Sequence, residues 1–238
     1  MTDRLVLQER YMTVTWPLFA HCVALKCFLH LSRKRHRNAA AFEHLSRWKT
    51  PMCLELPRLR TSRLLLAALQ PEQASTLSRL ADEPTIAAMT SALPSPYTLE
   101  HAQAFIAQAH EQFATGQTLS LGVHVTETGA LAGIVSFRFS TLHQRANLGY
   151  WMGVDYRNNG YTREAVRGLM TYGFTHMNFN RIAGQCFSDN LASAKVLEKC
   201  GLLYEGCMKE AFLKNGVFKD MSLFGLLRAQ YEALEALS

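Results

Sequence analysis

From Arg63 onward, apolar positions along the chain alternate between strand-like and helix-like spacing. Residues 63–69 (RLLLAAL), 118–126 (TLSLGVHVT) and 130–140 (ALAGIVSFRFS) are apolar runs of strand length. The last two are joined through Glu127, Thr128 and Gly129, which predicts a hairpin. Residues 147–154 (NLGYWMGV) and 181–187 (RIAGQCF) predict two more strands. Residues 203–213 and 217–227 predict a closing hairpin that turns on Asn215-Gly216. Helical spacing appears over 71–81 and 99–114, separated by 94–97 (PSPY), which forbids a continuous helix. It returns after Gly160, where Ala165, Val166, Leu169, Met170 and Gly173 share one face, and again over 190–201, closed by Gly201. No repeat or low-complexity tract interrupts the pattern. An antiparallel meander running into a β-α-β-α unit predicts a mixed α/β fold.

Composition agrees with a folded protein: 48% of the 238 residues are hydrophobic and 18% charged. The formal charge of +6 is uneven. Residues 1–51 hold nine Lys/Arg against three Asp/Glu, which accounts for all of it, so residues 52–238 are neutral. The basic balance therefore does not make the main domain a nucleic-acid binder. Within the N-terminal piece, residues 16–31 are apolar but short for a membrane span and contain His21, Lys26 and His30. Lys26 also breaks the uninterrupted apolar stretch that a secretory signal needs. Residues 33–37 (RKRHR) are read as a solvated basic run. Residues from Met52 look like a domain start, giving an expected division into a basic extension, 1–51, and a main domain, 52–238.

Six cysteines (22, 27, 53, 186, 200 and 207) form no CxxC, and no histidine stands at a zinc-finger offset from them. Core packing is the expectation for Cys186 and Cys200, with no metal, and a reducing cytoplasm fits this usage.

The chemistry concentrates at residues 156–170, YRNNGYTREAVRGLM. A strand, a polar loop with a glycine and then a helix presents unpaired first-turn N–H groups where the helix dipole is positive. Gly160 lets a ligand approach the backbone closely, and Arg157 offers a charge-assisted contact. A routine helix capped by Asn158 or Asn159 explains the same residues equally well. The loop is neither a Walker A sequence nor a three-glycine dinucleotide fingerprint.

At these positions the sequence resembles the GNAT superfamily of acetyl-CoA-dependent N-acetyltransferases. Their pyrophosphate loop reads Arg/Gln-x-x-Gly-x-Gly/Ala, which Arg157, Asn158, Asn159, Gly160 and Tyr161 satisfy and Thr162 does not. Further blocks, LPRLRTSRLLL, NLGYWMGVDYRNNGYTREAV, SDNLASAKVLEKCGLLYEG and LKNGVFKDMSLFGLL, resemble the ribosomal-protein-alanine and -serine N-acetyltransferase subgroup in the same order. The resemblance implies a mixed, mostly antiparallel sheet flanked by helices, with the pyrophosphate loop between strand 4 and helix 3. It implies that the amides of 158–162 hold the CoA diphosphate and that Met152-Gly153-Val154 bonds the pantetheine arm. Asn190 would lie beside that arm, and Ser193 would approach the sulfur as an acid. Bare helix-cap and surface roles are the alternatives for Asn190 and Ser193. The implied partners are acetyl-CoA and an amine acceptor, which is a ribosomal-protein N-terminus, a polyamine, an amino acid or an antibiotic. Neither a membrane nor a nucleic-acid partner is implied for this domain, which would act as a monomer or homodimer.

Two departures carry consequences. Thr162 crowds the loop, and Asn147 stands where many relatives place a glutamate that can act as base. Together they raise the alternative of a CoA-binding module without catalysis. Glu198 and Glu210 are replacement bases only because they lie in nearby blocks. An α-amine with a pKa near 8 is about one-tenth neutral at pH 7, whereas a lysine is neutral in about one molecule in 2,500. An enzyme lacking the strand carboxylate therefore suits α-amines.

Overall fold

The computed structural model describes residues 56–91 and 93–237. The extension expected over 1–51, its cysteines and its basic run lie outside them. The meander begins with β1 (Leu59–Arg60) and β2 (Leu64–Ala67). A 3-10 turn (Pro71–Gln73) then leads to three helices: α1 (Ala74–Ala81), α2 (Pro84–Met89) and α3 (Leu99–Ala114). Strands β3 (Thr118–Val125), β4 (Leu131–Ser140) and β5 (Arg145–Met152) follow. After β5 come α4 (Tyr161–Thr175), β6 (Arg181–Phe187) and α5 (Leu191–Lys199). The chain closes with β7 (Leu203–Lys214), β8 (Val217–Leu227) and α6 (Arg228–Glu235).

The eight strands form one sheet in the order β1-β2-β3-β4-β5-β6-β8-β7. Every pairing is antiparallel except β5 with β6. The sheet separates two cores. On one face Val123, Phe137, Leu148 and Ile182 pack against Val166, Leu169 and Phe174 of α4 and Leu197 of α5. On the other, Leu131, Ile134 and Trp151 pack against Leu77, Leu80, Ala102 and Ile106 of α1 and α3. Covering both faces explains why β3 is buried along nearly its whole length rather than alternating.

The mixed, mostly antiparallel sheet matches the sequence expectation, but the numbering moves. The loop expected between strand 4 and helix 3 lies between β5 and α4, because β1 and α2 add one strand and one helix. Both are too short, at two and six residues, to display a period. The helix α6 also escaped the pattern, since it buries no residue fully and docks mainly by stacking Tyr231 on Phe174, with centroids 4.6 Å apart.

One buried polar group is informative. His124 of β3 lies beneath the 3-10 turn, with Nε2 2.9 Å from Gln73 Nε2 and Nδ1 3.2 Å from the Leu65 carbonyl. The glutamine amide can only donate and the carbonyl can only accept, so the ring is neutral with its proton on Nδ1. Burial pushes its pKa below the ordinary 6.5, outweighing the hydrogen bonds that favour the charged form. Above pH 6.5 the ring is neutral in both states and its contribution to stability is fully present. As pH falls through 6.5 the unfolded chain takes up the proton first, so stability drops until the folded value is reached. The thermal midpoint is expected to decline between pH 7 and pH 5 in the wild type and to decline less in His124→Gln. Parallel pH profiles for the two proteins would refute the assignment.

Candidate active site

β5 and β6 pair in parallel over only four positions, from Arg145↔Arg181 to Leu148↔Gly184. Beyond that point β5 remains bonded to β4 as far as Gly133↔Met152, and β6 remains bonded to β8 as far as Phe187↔Met221. Each half of the sheet keeps its outer partner, so a wedge opens between 149–152 and 185–187. Gly153 donates its N–H to the Ala132 carbonyl at 2.8 Å. In an antiparallel pair alternate residues exchange these bonds, so Trp151 and Gly149 also face β4, whereas Tyr150 and Met152 turn their backbone groups toward the wedge. The Met152 carbonyl there accepts from Arg157 Nε at 3.1 Å.

Of the stretch Met152-Gly153-Val154 expected to bond the pantetheine arm, only Met152 turns its backbone groups toward the opening. Gly153 is bonded to β4, and Val154 begins a 3-10 turn (Val154–Tyr156). Tyr150 and Met152 carry the backbone groups that face the opening. Arg157 also sits differently from expectation. Its Nη1 reaches Thr85 Oγ1 at 3.1 Å, so its guanidinium ties the loop to α2 and to the end of β5.

The loop itself resolves the choice between a capped and an uncapped helix. The N-cap of α4 is Gly160, at φ 77°, and no side chain caps the helix. Asn158 takes a left-handed φ of 62°, and Asn159 turns its amide onto the Arg157 carbonyl at 3.1 Å. The first backbone bond of the helix runs from Glu164 N–H to the Gly160 carbonyl. Among the described residues, the amides of Tyr161, Thr162 and Arg163 therefore have no protein acceptor. Three convergent donors with no Cβ at Gly160 form a cradle suited to a diphosphate. Thr162, half-buried in the first turn, contributes its N–H to that set despite its side chain.

Sequence reasoning missed what fixes this loop in place. Arg63, immediately before β2, donates from Nη1 to the Asn159 carbonyl (3.0 Å) and from Nε to Glu164 Oε2 (2.8 Å). Its guanidinium also lies 4.8 Å over the Tyr161 ring. Glu164 accepts in addition from Thr61 Oγ1 (2.6 Å) and from the Arg63 backbone N–H (2.7 Å). Burial pushes the Glu164 carboxyl upward, but these donors together bring its pKa below the ordinary value. The carboxylate thus stays ionised yet fully engaged by Thr61 and Arg63, beside the three free amides of the loop. These residues stand about 100 positions apart, which no local pattern reports.

On the far side of the wedge, α5 starts at Asn190, whose Oδ1 accepts from Ser193 N–H at 3.1 Å. Asn190 therefore performs the capping role, and its position at the end of β6 places it beside the wedge. The helix lies close to the sheet because Gly184 has no side chain: a Cβ there would fall 2.5 Å from Leu197 Cδ2. One turn before Leu197, Ser193 Oγ lies 2.8 Å from Tyr150 Oη. The two halves of the parted sheet are bridged at this contact. Glu198 instead lines a cavity of about 290 Å³ between α4, α5 and α6, with Arg167, Tyr231 and Glu235. Glu210 is exposed on β7 and joined through its amide to Asp220. Neither proposed replacement base lies at the wedge. Among the described residues no cluster of His, Cys, Asp and Glu could hold a metal, and no helix is long and apolar enough to cross a membrane.

A sheet parted between two parallel strands, with an uncapped helix N-terminus at its mouth, offers a strand edge and free amides to an extended anionic ligand. The chain belongs to the GNAT family: residues 63–203 match the model described as an acetyltransferase (GNAT) domain. It is 29% identical over 175 residues to an uncharacterized N-acetyltransferase, p20, of Bacillus licheniformis, covering 73% of this chain and 97% of that one. It is 30% identical over 105 residues to the ribosomal-protein-serine acetyltransferase of Escherichia coli, covering 40% of this chain and 53% of that one. The structure of RimL, a ribosomal L7/L12 α-N-protein acetyltransferase in complex with CoA, superposes with a TM-score of 0.67 at 20% identity, covering 72% of this chain and 98% of that one. The protein is thus an acetyl-CoA-dependent N-acetyltransferase.

Removing the guanidinium from the loop clamp should weaken cofactor binding. Arg63→Met is expected to raise the dissociation constant of CoA roughly tenfold, equivalent to about 1.4 kcal/mol. Titration calorimetry measures this directly, and an unchanged constant would show that the loop holds its shape without the clamp.

Proposed function

We propose that the protein acetylates the α-amine of protein N-termini, as its resemblance to the ribosomal-protein acetyltransferases suggests. One observation carries this choice of acceptor. On the α1/α3 side of the wedge, the residues flanking the parting are Asn147, Gly149 and Trp151 of β5 and Ala183 and Gln185 of β6. None is a carboxylate, so an amine arriving here has to lose its proton without help from the strand. An α-amine does so readily near neutral pH, and a lysine does not.

The residues divide the work. The amides of 161–163, with the open backbone of Gly160, hold the diphosphate, and the surrounding Arg157, Asn158 and Asn159 shape the loop. Backbone groups of Tyr150 and Met152 hold the pantetheine arm in the manner of an added strand. Acetyl-CoA, when bound, supplies an activated thioester and a thiol leaving group with a pKa near 8.5. Ser193 Oγ, placed one turn into α5, donates a hydrogen bond toward the sulfur. Asn190 fixes the start of α5 and thereby the height of Ser193 in the wedge. Positioning the two substrates supplies much of the acceleration, since little proton transfer is demanded.

A thiol-release assay with acetyl-CoA tests the reading. Peptides with a free N-terminus are expected to turn over, whereas the same peptides blocked at the N-terminus but carrying lysine, and free polyamines, are expected to react at least about tenfold more slowly. The rate should rise with pH up to about 8 as the α-amine becomes neutral. Gly160→Glu should abolish CoA binding by placing a carboxylate against the diphosphate. Preference for polyamines would refute the acceptor assignment, and normal CoA binding by Gly160→Glu would refute the cradle.

A further inference from the structure

Tyr150 sits at the wedge with a hydroxyl that the roles above leave without a purpose. Its Oη has two neighbours, Ser193 Oγ at 2.8 Å and the Ser193 carbonyl at 3.2 Å. Burial drives the phenol pKa upward, with the Ser193 contact only partly offsetting it, so the group stays protonated and is a donor. A serine oxygen has two acceptor sites and one proton, and the phenol has one proton to give. When the phenol donates to Oγ, the serine proton is left for a further acceptor; when it donates to the Ser193 carbonyl, the serine proton turns onto the phenol oxygen instead.

We infer that Tyr150 is a positioning residue that holds Ser193 Oγ by donating to it across the wedge and so leaves the serine hydroxyl as a donor facing the wedge. The inference rests on the proposed role of Ser193 toward the sulfur. In the transfer, the amine nitrogen forms its bond to the acyl carbon while the C–S bond breaks. Sulfur leaves with the electron pair, and the proton shed by nitrogen passes to water. Ser193 keeps its own proton and shares it with the departing thiolate. A hydroxyl left to rotate would spend part of its time donating to helix carbonyls instead, a habit of serine within helices. Tyr150 removes that freedom, and because its contact spans from β5 to α5, it also sets how far the wedge opens at the reacting end.

Kinetics and equilibrium binding of the full chain test this together. Tyr150→Phe keeps the ring and is expected to lower kcat about tenfold, with KM for acetyl-CoA unchanged within about twofold, a split typical of an interaction made mainly in the transition state. Ser193→Ala should cause a similar loss, and the double variant should be no slower than the singles, because both remove the same donated hydrogen bond. Binding gives a readout independent of turnover. At pH 9 the thiol is largely ionised, and the wild type should bind CoA more tightly than desulfo-CoA. That preference should shrink in Tyr150→Phe. A loss of kcat in Ser193→Ala with none in Tyr150→Phe would overturn the positioning role and leave the serine role standing. An unaffected Ser193→Ala would overturn both, and additive losses in the double variant would show that tyrosine and serine act separately.

Discussion

Backbone hydrogen bonds between β5 and β6 stop after four residues, and the active site is built on that interruption. A strand edge inside a sheet cannot remain buried with its donors and acceptors unpaired. The gap therefore has to admit either water or a ligand with amides of its own, and the pantetheine arm of CoA is such a ligand. The gap persists because each side is held elsewhere: β5 by β4 through Met152, and β6 by β8 through Phe187. Helix α5 reinforces the division. Seated on Gly184 through Leu197, it lies where the strands begin to diverge, and it presents Ser193 to Tyr150 across the gap.

Two helices begin at this wedge, and their N-termini are treated in opposite ways. Asn190 closes α5 with a side-chain hydrogen bond to Ser193 N–H. Gly160 leaves α4 without a cap. Unpaired first-turn donors and the dipole favour an anion, which agrees with the proposed placing of the diphosphate at α4 and of the neutral, reacting end of the cofactor at α5. Keeping Asn158 in a left-handed conformation costs conformational energy, whereas Gly160 takes its own without steric cost. The clamp from Arg63 offsets it by bonding the Asn159 carbonyl and Glu164 together. Arg63 immediately precedes the second strand, so the loop depends on the opening segment of the sheet as well as on its own flanks.

Much of this was legible in the sequence. Seven of the strands and the four long helices follow from apolar spacing, and Gly160, Asn190 and Ser193 follow from linked motif blocks. What remained hidden shares a cause. β1 and α2 are too short to show a period, and α6 has no buried stripe. The Arg63–Glu164 clamp and the Tyr150–Ser193 contact join residues roughly 100 and 43 positions apart, and one sequence gives no sign of such pairings. The loop asparagines illustrate the limit well. Their composition suits a side-chain cap, and only the backbone angles show that neither provides one.

Asn147 carries the most consequence for the acceptor. A positioned general base contributes on the order of 10²- to 10⁴-fold to a reaction that needs deprotonation. The neutral fractions of an α-amine and a lysine at pH 7 differ by about 250-fold, within that same range. Removing the strand carboxylate therefore subtracts from lysine acetylation about what the intrinsic acidity of an α-ammonium already provides. Neither Glu198, on the α4–α6 side, nor Glu210, on an exposed edge strand, stands in for it. On the proposed α-amine reading, Asn147 selects for amines that are already neutral when they reach the thioester rather than disabling the transfer.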